Sequence, residues 1–383
     1  MQIKKKIIIV FGTRPEAIKL APVIHELKKN QKDFLCKVCI TAQHREMLDQ
    51  ILKIFEIKPD IDLNLMKKKQ SLSDITALII KSMQKVFEKF KPDLVIVHGD
   101  TTTSFATSLV CFYNNIKLAH VEAGLRTNNL NKPFPEEFNR QIISKLSSIH
   151  FAPTYQNKKN LLLEGVSPKN IYVTGNSVID ALFWIQRKID SNKSYNQKLK
   201  QKLDQILKFD WINDSYILIT SHRRENFGKG FSDICKALKE LSLKYPKIHF
   251  IYPVHLNPNV KNYVLKILKN KKNIHLIPPQ EYEMFILLLK YSLLIMTDSG
   301  GIQEEAPSFG KFVLVMRDVT ERPEAIKTGL VKLVGTNKTN IIKNVSFLID
   351  NCIFNSKKKN TSNPYGNGNS SIKIVKIIKN LFK

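Results

Sequence analysis

The stretch KIIIVFGTRPEAIKLAPVIHELKK, residues 6–29, decides the fold. A β-branched apolar run, Lys6–Phe11, breaks at Gly12-Thr13-Arg14, and a helix-length amphipathic segment, Glu16–Lys29, follows directly. This is the opening of a strand–crossover–strand unit, the building block of parallel sheets. The alternation continues along the first half, with strands expected at Leu35–Thr41, Leu94–His98, Leu118–Val121, Ile149–Ala152 and Ile171–Val173. Helical patterns lie at Leu72–Phe90 and Glu137–Leu146. Gly175-Asn176 precedes a further helical segment, Val178–Ile189, and the Lys- and Asn-rich stretch Asp190–Asp210 reads as a linker or an exposed helix.

The second half repeats the theme. Strands are expected at Tyr216–Thr220, His249–Val254, Ile274–Ile277, Leu293–Thr297, Phe312–Met316 and Val331–Val334. Helices are expected at Phe231–Leu243, Val260–Leu268, Glu281–Tyr291 and Ile302–Phe309. The polar tail Lys357–Ser371 carries Pro364-Tyr365-Gly366 before a short apolar-basic helix closes the chain. The expected fold class is α/β: two Rossmann-like, doubly wound domains, residues 1–178 and 179–360, with a tail, 361–383, packing back on the first.

Length and composition agree. A chain of 383 residues suggests two domains. Apolar residues at 43% and charged residues at 25% fit a soluble globular protein and exclude a disordered one. No apolar run reaches the roughly 18 residues of a membrane span, so membrane insertion is not expected. The N-terminus reads as a first strand rather than a signal peptide. Five cysteines, an odd number scattered through apolar segments, suit reduced thiols in a cytoplasmic protein.

The net charge is +28, and it comes from 52 lysines beside only nine arginines. A Lys/Asn/Ile bias is what an AT-rich genome imposes on exposed positions. With no aromatic-interleaved basic stripe, nucleic acid is not an expected partner. The arginines carry more information. Eight of them (Arg14, Arg45, Arg126, Arg140, Arg223, Arg224, Arg317, Arg322) fall in short polar motifs, and only Arg187 does not. Such placement suits sites that need a forked, permanently charged donor for phosphate or carboxylate.

Six polar clusters directly follow expected strands: Gly12–Arg14, Gly99–Thr101, Glu122–Arg126, Ser221–Asn226, Pro278–Gln280 and Asp298–Gly301. Open parallel sheets bind ligands outside the carboxyl ends of their strands. Two sheets facing each other by those ends would line one cleft with all six. At Asp298-Ser299-Gly300-Gly301 the glycines admit an anion to the helix start, although a plain helix cap explains the motif equally well. Neither G-x-G-x-x-G nor a P-loop occurs, which disfavours nicotinamide dinucleotides and ATP.

Asp100, Glu122 and Glu136 are candidates for acid–base work, or else ion-pair partners of Arg126 and Arg140. No metal site is expected. Cys36-Lys37-Val38-Cys39 lacks a second pair and reads as buried strand thiols, and Asp60-Ile61-Asp62 sits in a helix-to-loop region away from the strand ends. His25, His150, His249 and His275 read as structural, whereas His222 and His255 sit in polar strand-end motifs.

Taken together, these motifs resemble those of the non-hydrolysing UDP-N-acetylglucosamine 2-epimerases. The matching segments are Gly12–Lys19, His98-Gly99-Asp100, His120–Thr127, His222–Asn226, Ser299–Pro307 and Glu321–Ala325, in the family's order and across nearly the whole chain. The resemblance implies the glycosyltransferase-B architecture, in which the two domains face a central cleft, and a homodimer. It also implies interconversion of UDP-GlcNAc and UDP-ManNAc without a cofactor, supplying ManNAc units for surface polysaccharide. The route is anti elimination of UDP to 2-acetamidoglucal, then syn re-addition. The hydrolysing 2-epimerases, and glycosyltransferases of the same architecture, are the alternatives.

Residue by residue, the resemblance makes Arg14, His222 and Ser299-Gly300-Gly301 the grip on the UDP phosphates, supported by Lys19 and Arg322. Gln280 and Phe285 match positions that hold uracil, and Glu305 the one that binds ribose. Asp100, Glu122 and Glu136 match the acid–base carboxylates, with Arg140 orienting them. Gln43, Arg223 and His255 resemble a second, activating UDP-GlcNAc site. Lys69 replaces a common arginine, and Asn367 a common aspartate.

Overall fold

The computed structural model describes residues 3–42, 45–65, 70–221, 226, 228–255, 258–352 and 363–382. The chain divides into two compact units, Met1–Phe183 together with Tyr365–Lys383, and Trp184–Pro364.

In the first unit the strands are β1 (Lys5–Phe11), β2 (Phe34–Ile40), β3 (Ile61–Asp62), β4 (Leu94–His98), β5 (Lys117–Val121), β6 (Ile149–Ala152) and β7 (Ile171–Val173). They form one sheet in the order β3-β2-β1-β4-β5-β6-β7. Every pairing is parallel. Its helices are α1 (Arg14–Lys29), α2 (Arg45–Ile54), α3 (Leu72–Phe90), α4 (Thr102–Tyr113), α5 (Glu136–Leu146), α6 (Tyr155–Leu163) and α7 (Ser177–Ser191), the last running across the division into the second unit.

Ile7 to Phe11 are fully buried, as a central parallel strand covered on both faces requires. Helix α3 buries Ile75, Ile79, Met83, Val86, Phe87 and Phe90 on one stripe. The stripe packs with Val95, Val97, Ala106 and Val110 into the core.

The second unit starts within α7 and continues with α8 (Lys193–Leu207), β8 (Tyr216–Thr220), α9 (Lys229–Lys244), β9 (His249–Pro253), α10 (Pro258–Leu268), β10 (Ile274–Ile277), α11 (Tyr282–Tyr291) and β11 (Leu294–Thr297). After them come α12 (Gly300–Glu305), β12 (Phe312–Val315), α13 (Pro323–Lys327), β13 (Val331–Leu333) and α14 (Lys338–Phe347). The six strands form a parallel sheet, β10-β9-β8-β11-β12-β13. The closing helix, α15 (Ser370–Leu381), belongs to the first unit, where it packs on α1.

Two expectations need correction, and one pair of alternatives is decided. Ile61–Asp62 is no helix-to-loop junction: it is an edge strand registered on Cys39 and Ile40. Of the linker and the exposed helix offered for Asp190–Asp210, the structure has the helix: α8 buries only Leu199, Leu203 and Leu207. The expected helix Ile302–Phe309 begins earlier and changes character, with α12 passing at Ala306 into a 3₁₀ turn that ends at Gly310.

Candidate active-site residues and family

Both sheets reverse strand order once, between β1 and β4 and between β8 and β11. Reversal opens a crevice at the carboxyl ends, and polar chemistry gathers there. At the first, Glu16 accepts from the Gly12 and Thr13 amides at 3.0 and 2.8 Å and from the Thr101 hydroxyl at 2.7 Å. It ties the loop after β1 to the loop after β4. Burial pushes its carboxyl above the ordinary range, against those hydrogen bonds. Arg14 occupies the first turn of α1, where a cation opposes the helix dipole.

Asp100 follows β4 and is gripped by Arg140 on α5, whose Nε and Nη2 lie 2.9 and 2.7 Å from Oδ2. Asn139, also on α5, donates to the Asp100 backbone carbonyl at 2.7 Å. The third member of this grip is Glu137, which accepts from Arg140 Nη1 at 3.1 Å and from the Thr127 amide at 3.0 Å. Burial alone would raise its carboxyl, but the Thr127 and Arg140 hydrogen bonds outweigh that and hold it low. Glu136 is half-buried at the start of α5. Arg126 does not join the group: it pairs with Glu164 at 2.5 Å.

Glu122, directly after β5, sits in the left-handed region at φ 65°. For a non-glycine residue this conformation costs roughly 1–2 kcal/mol. Its carboxylate forms a buried ion pair with Lys19 on α1 and accepts from Asn176 Nδ2 at 2.7 Å. His98 Nε2 is 3.8 Å away. Burial pushes His98 down to about 4, so near neutral pH the carboxylate faces an uncharged ring. Behind it, His120 Nε2 lies 2.7 Å from the Gly99 carbonyl, which can only accept, so that nitrogen carries the proton. Gly124, at φ 91°, must be glycine, because a Cβ would come within 2.3 Å of the Asn157 carbonyl oxygen.

In the second unit, Ser221 and Asn226 donate to Asp298 Oδ2 at 3.0 and 3.1 Å, joining the loops after β8 and β11. Ser299 is the N-cap of α12, and its side chain makes no capping hydrogen bond. Gly300 lies beneath the Arg322 guanidinium, whose Nε donates to Glu304 at 2.7 Å, with Nη1 3.4 Å from Glu321. Among the described residues, nothing beyond its own helix backbone and chain neighbours lies within 4 Å of a Cβ placed on Gly301. Glu305 accepts from the Tyr282 hydroxyl at 2.6 Å. Gln280 is buried and donates to the Pro278 carbonyl at 2.6 Å, while its Oε1 has no hydrogen-bond partner among the described residues. Phe285 stands half-buried on α11.

His222, Arg223, Gln43 and Lys69 lie outside the described residues, and His255 is exposed beyond β9. Of the histidines read as structural, His25 hydrogen-bonds the Phe55 carbonyl, and His249 and His275 contact each other under the Phe209 ring. Sequence reasoning missed Glu137 and Asn176 altogether, and it left Glu16 and Glu304 within motifs but without roles. Glu137 was within reach, one turn before Arg140. Asn176 had only its position after β7 to offer. Among the described residues no group of three or more His, Cys, Asp or Glu is placed to hold a metal, and no helix is long and apolar enough to cross a membrane.

Two doubly wound units with acid and base groups concentrated at their strand ends define an α/β enzyme. The family model for UDP-N-acetylglucosamine 2-epimerase matches residues 25–379. A UDP-N-acetylglucosamine 2-epimerase of Campylobacter jejuni is 53% identical over 98% of this chain and 97% of its own. The crystal structure of the Neisseria meningitidis UDP-GlcNAc 2-epimerase bound to UDP-GlcNAc superposes with a TM-score of 0.91 at 53% identity, covering 97% of this chain and 99% of that one. A Methanocaldococcus jannaschii UDP-GlcNAc 2-epimerase, in complex with UDP-GlcNAc and UDP, gives 0.85 at 35% identity, covering 98% and 99%. The chain belongs to the UDP-N-acetylglucosamine 2-epimerase family, whose members are isomerases.

Proposed function

We propose that the protein interconverts UDP-GlcNAc and UDP-ManNAc by elimination and re-addition of UDP. The observation that carries this reading is the near-full-length match to an epimerase solved with UDP-GlcNAc bound. The chemistry fits the residues. The hydrogen on sugar carbon 2 is not adjacent to a carbonyl, so it cannot be removed by simple enolisation. A carboxylate takes that proton while the bond from carbon 1 to the β-phosphate oxygen breaks, leaving 2-acetamidoglucal and UDP. Return of UDP to carbon 1, with protonation of carbon 2 from the opposite face, gives the epimer.

Asp100, Glu122 and Glu136 supply the acid and base, and Arg140 orients Asp100. Arg14, His222, Arg322 and the Ser299–Gly301 turn hold the pyrophosphate, neutralising the charge that grows on it. Lys19, in this assignment, serves the site through Glu122. Gln280 Oε1, a buried acceptor, suits an imide N–H such as that of uracil, Phe285 its ring and Glu305 the ribose hydroxyls. Gln43, Arg223 and His255 form the activating second site. A homodimer completes the proposal, supported by the exposed neighbours Phe112 and Tyr113 at the end of α4.

The deciding experiment is turnover in heavy water. Deuterium at carbon 2 of both UDP-sugars is the expected result, and epimerisation without incorporation would sink the mechanism. Stoichiometric release of UDP with free ManNAc would instead assign the hydrolysing reaction.

A further inference from the structure

Glu122, at the strand ends of the first unit, is held by two donors, and one of them comes from an unexpected direction. Two donors converge on the same oxygen, Oε2: the Lys19 ammonium and the Asn176 amide. Asn176 is itself locked. Its Oδ1 accepts from the Val178 N–H at 3.1 Å, its own N–H donates to the Tyr365 carbonyl at 2.7 Å, and its carbonyl accepts from the Ile179 N–H at 3.1 Å. Because a backbone N–H can only donate, Oδ1 must face Val178 and the NH₂ must face Glu122. The side chain has one orientation open to it.

Tyr365 belongs to the segment that returns to the first unit at the end of the chain. That segment is seated tightly. Tyr365 is fully buried, and Gly175 leaves room for it, since a Cβ there would come within 2.6 Å of Ser370 Oγ and 2.9 Å of the Tyr365 oxygen. One turn along α7, Asp180 accepts from the Ser370 amide at 3.1 Å, the Ser371 amide at 2.8 Å and the Ser371 hydroxyl at 2.6 Å. The loop carrying Asn176, the start of α7 and the returning segment are therefore one hydrogen-bonded block, and Glu122 leans on it.

We propose that Asn176 is a positioning residue for the Glu122 carboxylate, and that the segment from Tyr365 to Ser371 holds Asn176 in register. The proposal rests on the acid–base role given to Glu122 above. A carboxylate that must meet a carbon-bound proton tolerates little displacement, and a misplacement of about 1 Å can cost on the order of 100-fold in rate. A purely structural Asn176, serving only to cap α7, would affect stability and leave the carboxylate's titration and the chemical step alone.

Asn176→Asp separates the two. It keeps the acceptor for Val178 and the shape of the side chain, but removes the donor and sets a second carboxyl beside Glu122. In the full-length protein we expect kcat to fall by roughly 10- to 100-fold, with KM changed less than about threefold. The acidic limb of the kcat/KM profile should move to higher pH, because both changes disfavour ionised Glu122.

A readout free of substrate accompanies it: a carbon-13 titration of the glutamate carboxyls, with Glu122 identified by Glu122→Gln. Glu122 should titrate at higher pH in Asn176→Asp than in the wild type. An unshifted titration with wild-type kcat overturns the proposal. A shifted titration in a protein whose wild type shows no epimerase turnover leaves the positioning intact and rejects the epimerase reading. Should Asn176→Asp fail to fold, Asn176→Ser decides: it retains a capping oxygen but cannot span to Glu122, so the same loss of kcat is expected. For the returning segment, Ser371→Ala should lower kcat about threefold at constant KM, the scale of one hydrogen bond. A drop in melting temperature alone overturns that half.

Discussion

The Arg322 guanidinium lies so close over Gly300 that a Cβ on Gly300 would come within 2.5 Å of Nη1. A flexible arginine would swing aside, but this one is tied to Glu304 and Glu321 beneath it. Gly300→Ala therefore displaces a held guanidinium or strains α12, an overpacking cost of about 1–3 kcal/mol. The expected outcome, by calorimetry, is UDP affinity reduced by roughly tenfold or more, since about 1.4 kcal/mol corresponds to tenfold. Unchanged affinity would remove Arg322 from the phosphate grip.

Asp100→Asn keeps the size of the side chain but removes its basicity. Turnover should fall by roughly 100- to 10,000-fold, the usual worth of a positioned acid or base, while UDP binding stays within about twofold. Arg140→Lys should behave as a milder version, because an ammonium cannot span Asp100 and Glu137 as the fork does. Near-normal turnover in Asp100→Asn would remove it from the acid–base set.

Stability should depend on pH through buried imidazoles. Burial pushes His98 and His150 down to about 4 and His120 to about 3, from an ordinary 6.5. Below 6.5 the unfolded chain takes up protons that the folded chain refuses, so stability is complete above that pH and is lost as pH falls toward 4. The slope is about 1.4 kcal/mol per histidine per pH unit. Glu16, whose carboxyl is raised by burial, offsets part of the loss at the acid end of this range. Urea midpoints measured from pH 7.5 to 5 should fall steeply, and a flat profile would contradict the burial.

Thiol chemistry offers an independent check on packing. Burial raises Cys36, Cys39 and Cys235 to about 12, and Cys111 further still. At pH 8 only about one such thiol in 10,000 is ionised, and the thiolate is the reactive form. Mass spectrometry after brief alkylation of the native protein should leave all four unmodified, with full labelling in denaturant. Rapid native labelling of Cys39 or Cys111 would contradict the core described here.

The strands at Leu94–His98, Ile149–Ala152, Ile171–Val173, Tyr216–Thr220 and Ile274–Ile277 were legible to the residue, because strands within these parallel sheets leave unbroken apolar runs. Helix α4 was not legible. Its buried face includes Thr103, Ser104, Thr107 and Ser108, so no apolar stripe marks it. The two-residue β3 is too short for any periodicity, and α2 was also passed over. Asp100 could be named because the strand-end rule selects its position, whereas Arg140, inside α5, was marked by its place in a short polar motif and by the family resemblance. The partnership of Lys19 with Glu122 spans 103 residues, and no local pattern reports a contact made only by folding.

The chain leaves the first unit after Phe183 and re-enters at Tyr365, and these two places are neighbours: a Cβ on Gly368 would come within 2.5 Å of the Phe183 ring. Exit and re-entry so close together make residues 184–364 a cassette. A splice of a few residues from Phe183 to Tyr365 would excise it without stretching the host. Either module could then have been exchanged, duplicated or retuned through its history while the other kept its own fold.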